Sequence, residues 1–84
     1  MNSKQHIIIG NWKMNPQKIR DAKTLYSEIA KRQARFGRVE VVVAPPFPYI
    51  STAARTRKIH LAAQDVSWEV AGSYTGEVSC SMLK

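Results

Sequence analysis

Cysteine and histidine are too scarce in this 84-residue sequence to stabilise it through crosslinks or a bound metal. The single cysteine, Cys80, has no partner for a disulfide, and the two histidines, His6 and His60, are widely separated. A lone thiol is typical of a reducing, intracellular setting, and we assign Cys80 no chemistry. A chain of this length forms one small domain at most and buries only about 60% of its unfolded surface. We therefore predict marginal stability and no metal site.

Long apolar runs are also missing. The polar N-terminus is followed by three consecutive aliphatic residues, Ile7, Ile8 and Ile9, whereas the apolar core of a signal peptide has about 7 to 15 residues. No run approaches the roughly 20 apolar residues that span a bilayer. The sequence therefore predicts a soluble cytoplasmic protein that does not bind membranes.

Acidic residues are few, with six Asp and Glu against thirteen Lys and Arg, for a net charge of +7. Such a charge raises the possibility of a nucleic-acid partner. Eight of these basic residues, however, fall on a predicted solvent-facing helix surface, interrupted by Asp21 and Glu28, or at a predicted helix end, where they complement the macrodipole. We therefore predict no nucleic-acid binding, and a small basic nucleic-acid binder with steep salt dependence stays as an alternative.

Aliphatic runs alternate with helical patterns along the chain. Strands are predicted at about 6–11, 39–44 and 59–64, and the first, with no polar alternation, reads as a strand buried on both faces. Helices are predicted at about 16–33, with Asn15 as N-cap and Pro16 in the first position, and at about 48–57. Gly37 ends the first helical segment. This order is typical of βα units that form a parallel sheet.

From residue 65 to residue 79 the apolar pattern fails, while Gly72 and Gly76 supply turn freedom. We predict one long ordered or semi-ordered loop here, and such a loop usually has a function. Ser79 is a plausible N-cap for a further helix, and the sequence stops inside that element. Three parallel strands leave two bare sheet edges and incomplete helix cover, so the pattern predicts a larger sheet than this chain supplies.

Three parts of the sequence resemble triosephosphate isomerase, in the order and spacing of that family. They are residues 10–15 (GNWKMN), residues 44–49 (APPFPY), and residues 63–65 (AQD) followed by 72–79 (GSYTGEVS). The resemblance covers essentially the whole chain from Ile7 onward. It implies an α/β fold: residues 1–84 as the N-terminal fragment of one TIM-barrel domain, an incomplete (β/α)8 barrel with two βα units, a third strand and a long interface loop. A complete barrel typically needs about 250 residues.

The resemblance assigns the site to the end of the first strand. Lys13 resembles the catalytic lysine, whose ammonium attracts the substrate phosphate and the oxygen that becomes negative in the enediolate. Asn11 would bind substrate through a neutral hydrogen bond and help to hold Lys13. On spacing alone, Lys13 reads as a surface lysine that snorkels, and Asn11 reads equally well as a turn residue.

The same resemblance implies a homodimer. The long loop would project into a pocket of the second subunit, where Thr75 reaches the neighbour's counterpart of Asn11. Met14 would lie under the visiting loop as an adaptable apolar contact. The predicted dimer interface comprises Met14, Tyr74, Thr75, Gly76 and Glu77. A merely disordered polar loop is the alternative.

The implied activity is the interconversion of dihydroxyacetone phosphate and glyceraldehyde 3-phosphate, a cofactor-free proton transfer of glycolysis and gluconeogenesis. Triosephosphate isomerase is itself a reference example of pKa tuning, with a glutamate base, a neutral histidine and a closing loop. The resemblance places all three on later strands, and His60, near the start of strand 3, is not a substitute. We therefore expect this chain to be inactive alone, and a self-associating interaction fragment without catalysis is the alternative function.

Overall fold

The computed structural model describes residues 6–55 and 59–84. Along the chain it contains β1 (His6–Asn11), α1 (Ile19–Arg32), a 3-10 helix (Gln33–Phe36), β2 (Val39–Ala44), α2 (Phe47–Ala54), β3 (His60–Leu61) and α3 (Cys80–Leu83). The strands form one parallel sheet in the order β1-β2-β3. The fold is therefore α/β, with parallel strands that alternate with helices, as the sequence predicts.

The register of the sheet brings the carboxyl ends of the first two strands together. β1 and β2 pair over their full lengths, from His6 opposite Val39 to Asn11 opposite Ala44. β3 pairs over two residues, which is shorter than the predicted 59–64. Val43 makes the last bond to this strand, accepting from the Ala62 N–H, and the next residue that would face β3 is Pro45, which has no N–H to donate.

A small core lies where α1 and α2 meet each other and the sheet. Its buried residues are Ala22, Tyr26, Val43, Ala53 and Ile59, and partly buried side chains, including Trp12 and Tyr49, pack around them. The indole of Trp12 stacks on the ring of Tyr26 with a centroid distance of 4.9 Å and an interplanar angle of 18°. This stack joins the end of β1 to α1.

The first helix begins later than predicted. Residues 16–18 are not helical: Lys18 has extended angles and makes no side-chain cap, so the prediction of Asn15 as N-cap was wrong. Tertiary contacts explain the difference, because the Pro16 carbonyl accepts a hydrogen bond from the Tyr49 hydroxyl. The helix ends at Arg32 and passes into the 3-10 helix, and Gly37 ends the segment with a φ of 61°, as predicted.

The other helix ends are close to their predicted positions. α2 runs over Phe47–Ala54 rather than 48–57, and residues 56–58, with the predicted end at 57, lie outside the described part of the chain. Ser79 caps α3 as predicted, with its hydroxyl accepting a hydrogen bond from the Met82 backbone. Between β3 and α3 no helix or strand is assigned, in agreement with the predicted loop.

The prediction that β1 is buried on both faces was wrong for this chain. Ile7, Ile8 and Ile9 retain 63%, 57% and 60% of their exposure. β1 is an outer strand with β2 as its one described neighbour, so side chains on both of its faces reach solvent. The apolar run therefore forms an exposed apolar edge.

No described helix is long and apolar enough to cross a membrane. The cytoplasmic location stays a prediction.

Candidate active site

Asn11 and Lys13 lie together at the carboxyl end of β1. Asn11 is the last residue of the strand, and the Trp12 backbone N–H donates to the Ala44 carbonyl of β2 at 3.0 Å. Lys13 follows with a φ of 58°, a left-handed conformation that is uncommon for residues other than glycine. The end of β1 is therefore fixed against β2, and the chain turns sharply at the candidate catalytic lysine.

Side-chain hydrogen bonds hold both peptide groups of Lys13. Its N–H donates to Asn11 Oδ1 at 2.8 Å, and its carbonyl accepts from Gln64 Nε2 at 2.9 Å. The same Gln64 nitrogen lies 2.8 Å from the Ala44 carbonyl, so one amide joins the lysine to β2. A strained backbone costs about 1–3 kcal/mol and persists where its surroundings over-determine it. These bonds supply that constraint.

The structure gives Asn11 a role that combines the two readings of the sequence. Its Oδ1 stabilises the turn, as expected of a turn residue, and thereby holds Lys13, as the resemblance implies. Its Nδ2 has no partner within the described residues, so it remains a donor that faces outward from an exposed side chain. A neutral donor thus lies beside the lysine.

The Lys13 side chain is exposed and is not neutralised locally. No carboxylate in the described ranges lies within ion-pair distance of its ammonium group. An unpaired ammonium next to an outward-facing amide suits an anionic oxygen ligand. The arrangement can bind an anion, and it contains no described acid or base positioned to transfer a proton.

Two tyrosines connect the loop after Lys13 to the helices through hydrogen bonds. The Tyr26 hydroxyl donates to the Tyr49 backbone carbonyl at 3.1 Å, and the Tyr49 hydroxyl donates to the Pro16 carbonyl at 2.9 Å. Burial, with a smaller effect of the nearby Tyr49, raises the pKa of Tyr26 to about 12. The Tyr26 phenol therefore stays protonated and able to donate at neutral pH.

His60 lies away from this site, as expected. It is the first residue of β3, and its Nε2 is 3.6 Å from Oε1 of Glu40 near the start of β2. In the sheet register His60 lies opposite Val42, two residues before Ala44, and its ion-pair partner is Glu40 rather than a residue of the lysine turn. Within the part of the chain that is described, no group of His, Cys, Asp or Glu side chains is arranged to hold a metal ion.

The long loop is ordered by its own hydrogen bonds. The Ser67 N–H donates to the Val78 carbonyl at 2.8 Å and closes the base of the loop, and the Glu77 N–H donates to the Tyr74 carbonyl at 3.1 Å. Gly76, with a φ of 85°, occupies the third position of this turn, where a positive φ is required in a type II turn. These features favour the ordered loop over the disordered alternative.

The predicted interface residues are exposed. Met14 is 81% exposed and Tyr74 is 50% exposed, and residues 75–77 at the turn are also exposed. A cleft of about 300 Å³ under the loop is lined by Tyr74 and Glu77, among others, but not by Asn11 or Lys13. Within one chain, the loop cleft and the lysine turn are thus separate features.

Comparison with known proteins identifies the relationship. The family profile described as triosephosphate isomerase matches residues 6–84. The chain belongs to the triosephosphate isomerase family. It is 45% identical over 83 residues to the triosephosphate isomerase of Moorella thermoacetica, an alignment that covers 93% of this chain and 32% of the relative.

Other relatives give the same coverage. The chain is 43% identical over 83 residues to the triosephosphate isomerase of Halorhodospira halophila, covering 95% of this chain and 31% of the relative. For the triosephosphate isomerase of Alcanivorax borkumensis the identity is 41% over 80 residues, covering 92% and 30%. The chain therefore spans about a third of the length of these relatives and is a partial TIM barrel, the N-terminal portion.

Gln64 is the site residue that the sequence reasoning missed. It belongs to one of the segments that resemble the family, yet the pattern gave it no role. Its position after the third aliphatic run was the available signal, because parallel strands end at the same sheet edge. The double contact of its amide with Lys13 and Ala44 is a tertiary feature.

Proposed function

We propose that this chain contributes the strand 1 lysine of a triosephosphate isomerase. The complete protein interconverts dihydroxyacetone phosphate and glyceraldehyde 3-phosphate by cofactor-free proton transfer, in glycolysis and gluconeogenesis. The observation that carries the proposal is the unpaired ammonium of Lys13 at the carboxyl end of a parallel strand, in a chain of this family. In barrels of this kind the chemistry takes place at that end of the strands.

In this proposal Lys13 stabilises negative charge. Its ammonium attracts the phosphate dianion of the triose and then the oxygen that gains charge in the enediolate. Fixed charges aimed at developing charge are strong catalytic devices because they need no reorganisation during the reaction. The held backbone of Lys13 supplies the fixed starting point of that side chain, and Asn11 Nδ2 donates a hydrogen bond to the same substrate.

The complete protein is proposed to be a homodimer. Met14 and residues Tyr74, Thr75, Gly76 and Glu77 form the interface, with the loop turn of one subunit entering the other subunit near its Lys13 turn. The exposure of Met14 and Tyr74 is compatible with this assignment, because it leaves both side chains accessible to a second subunit. The internal hydrogen bonds of the loop support it as well, since a preformed loop loses less entropy on docking.

The 84-residue chain by itself is proposed to be inactive. A general acid or base typically contributes about 10² to 10⁴ in rate, and no described glutamate or histidine lies beside Lys13. The chain can therefore bind an anion without transferring a proton.

The proposal is tested by grafting residues 6–84 onto the remaining two thirds of the Moorella thermoacetica relative. We expect the grafted protein to isomerise triose phosphates, and Lys13→Met to lower its kcat by at least about 100-fold, as for other groups that stabilise developing charge. Lys23→Met, which removes an exposed charge from α1, serves as the matched control and should leave kcat unchanged. Full activity of the folded Lys13→Met protein would refute the role of the lysine, and turnover by the 84-residue chain alone would refute its inactivity.

A second candidate function is self-association without catalysis. The observation that favours it is the apolar edge of β1, where Ile7, Ile8 and Ile9 are each more than half exposed. Unpaired strand edges with apolar side chains are templates for association with another chain.

A further inference from the structure

Three aromatic residues form a closed chain of contacts that begins and ends on the lysine turn. We call this set, Trp12, Tyr26 and Tyr49, the aromatic clamp. Trp12, next to Lys13, stacks on Tyr26, and the Tyr26 hydroxyl donates to the Tyr49 carbonyl. The Tyr49 hydroxyl then donates to the carbonyl of Pro16, three residues beyond Lys13. The clamp thus joins both sides of the turn to two helices.

Each member of the clamp comes from a different part of the fold. Trp12 lies in the loop after β1, Tyr26 on α1 and Tyr49 on α2. Tyr26 is only 1% exposed and belongs to the core, so it provides a rigid base for the other two. Tyr49 is the member whose side chain reaches back to the loop, and its single polar atom makes that contact.

We propose that Tyr49 is a positioning residue for Lys13. The inference deepens the proposed function and rests on it. Asn11 and Gln64 fix the peptide groups of Lys13 on the strand side. The bond from the Tyr49 hydroxyl to the Pro16 carbonyl fixes the helix side. Both ends of the turn are therefore anchored by hydrogen bonds. Tyr49 acts through the backbone of residues 13–16 and does not contact substrate.

The surroundings of the loop explain why this bond matters. Met14 and Gln17 are exposed, so burial of their side chains contributes little to holding the loop. The N-terminus of α1 has no side-chain cap, so no capping bond holds it there. The described bond within residues 14–17 is the local one from Gln17 Nε2 to the Met14 carbonyl, which moves with the loop. The Tyr49 bond, in contrast, spans 33 positions of the sequence. Small displacements of a catalytic group have large effects on rate.

The test is Tyr49→Phe in the grafted protein, because this change removes one hydroxyl and keeps the ring in place. We expect kcat/KM to fall about three- to tenfold, in line with the loss of one hydrogen bond, and most of the loss to appear in kcat. Thr24→Val is the matched control: it also removes a hydroxyl bonded to a carbonyl, at 3.0 Å on an exposed face of α1, and should leave kcat/KM unchanged. Tyr26→Phe, which breaks the preceding bond of the clamp, should lower kcat/KM in the same direction.

A second readout separates positioning from a loss of stability. The three-bond coupling between the amide and α protons of Lys13, together with its Cα chemical shift, reports its φ by nuclear magnetic resonance well below the melting temperature. We expect Tyr49→Phe to move these values away from the left-handed conformation and Thr24→Val to leave them unchanged. Unchanged values and unchanged kcat/KM in Tyr49→Phe would overturn the inference. A folded but inactive grafted protein whose Lys13 signals still respond to Tyr49→Phe would refute the proposed function and leave the positional effect standing.

Discussion

At the scale of the residue, Lys13 shows that a catalytic side chain depends on its backbone. The conformation at φ 58° is unfavourable for a lysine, yet it is held from both sides by the amides of Asn11 and Gln64. Those side chains use their polar atoms on main-chain groups and leave the ammonium of Lys13 unpaired. The division of roles is physical: neutral amides fix the geometry, and the single charge remains for an anionic ligand.

Tyr26 gives a pH prediction at the same scale. Burial raises its pKa in the folded chain to about 12, above the ordinary value of 10.0, so ionisation favours the unfolded state. The contribution of the neutral phenol to the unfolding free energy is complete below about pH 10 and is lost as the pH rises toward 12. We expect the difference in unfolding free energy between the wild-type chain and Tyr26→Phe to fall by about 1.4 kcal/mol per pH unit in that window.

Urea unfolding at several pH values checks this prediction for Tyr26. The comparison with Tyr26→Phe isolates the phenol, because the two proteins differ by that one hydroxyl group. A difference that stays constant from pH 9 to pH 12 would contradict the buried, hydrogen-bonded phenol.

At the scale of the element, tertiary contacts move the ends of helices away from the positions that local patterns favour. Asn15 and Pro16 form a good helix start by composition, but Tyr49 binds the Pro16 carbonyl and the helix begins at Ile19. β3 stops early for a local reason, because Pro45, the next residue that would face it, has no N–H to donate. The Gly37 stop was predicted correctly because its cause is local: the backbone there needs a positive φ.

Gly37→Ala tests this local stop. With φ at 61° and ψ at −120°, an L-residue is strained even though no described atom lies within 4 Å of the added Cβ. We expect the unfolding free energy to fall by about 1–3 kcal/mol from backbone strain alone. Gly10→Ala is the control, because its Cβ would lie 4.0 Å from the Val42 carbonyl oxygen at an ordinary φ. Equal stability of the two variants in thermal unfolding would contradict the account.

At the scale of the whole molecule, the chain has more apolar surface than its small core can bury. Among the described residues, the core cluster contains five buried side chains, whereas Ile7, Ile8 and Ile9 of β1 and Trp68 of the loop are largely exposed. The family relationship accounts for this surface, because the relatives are about three times longer. In such a barrel a strand like β1 has a neighbour on each side.

We predict that the 84-residue chain self-associates through the β1 edge. The double variant Ile7→Lys, Ile9→Lys should shift the sedimentation of the chain toward the monomer, because it adds charge to an apolar edge. Trp68→Lys, which adds one charge at a loop residue 95% exposed, is the control and should change the sedimentation less. A cooperatively melting wild-type monomer at high concentration would contradict the prediction, and a larger effect of Trp68→Lys would assign the association to the loop.

The sequence by itself determined the order of the elements, the parallel α/β class, the long loop and the family. It also placed Asn11 and Lys13 at a strand end. These features follow from periodicity, turn chemistry and motif spacing, which are local properties of the chain. The assignment of Lys13 to catalysis and of Thr75 to an interface came from the resemblance and stays a proposal.

The tertiary structure alone decided how the lysine turn is held. The contacts of Gln64 with Lys13 and of Tyr49 with Pro16 join residues 51 and 33 positions apart, and no local pattern encodes such pairs. It also decided that the isoleucines of β1 are exposed. An apolar run indicates that a strand can be buried, but it does not show whether the chain contains the strands and helices that would pack over it. Burial depends on the neighbours a strand finds, and those are set by the assembled fold.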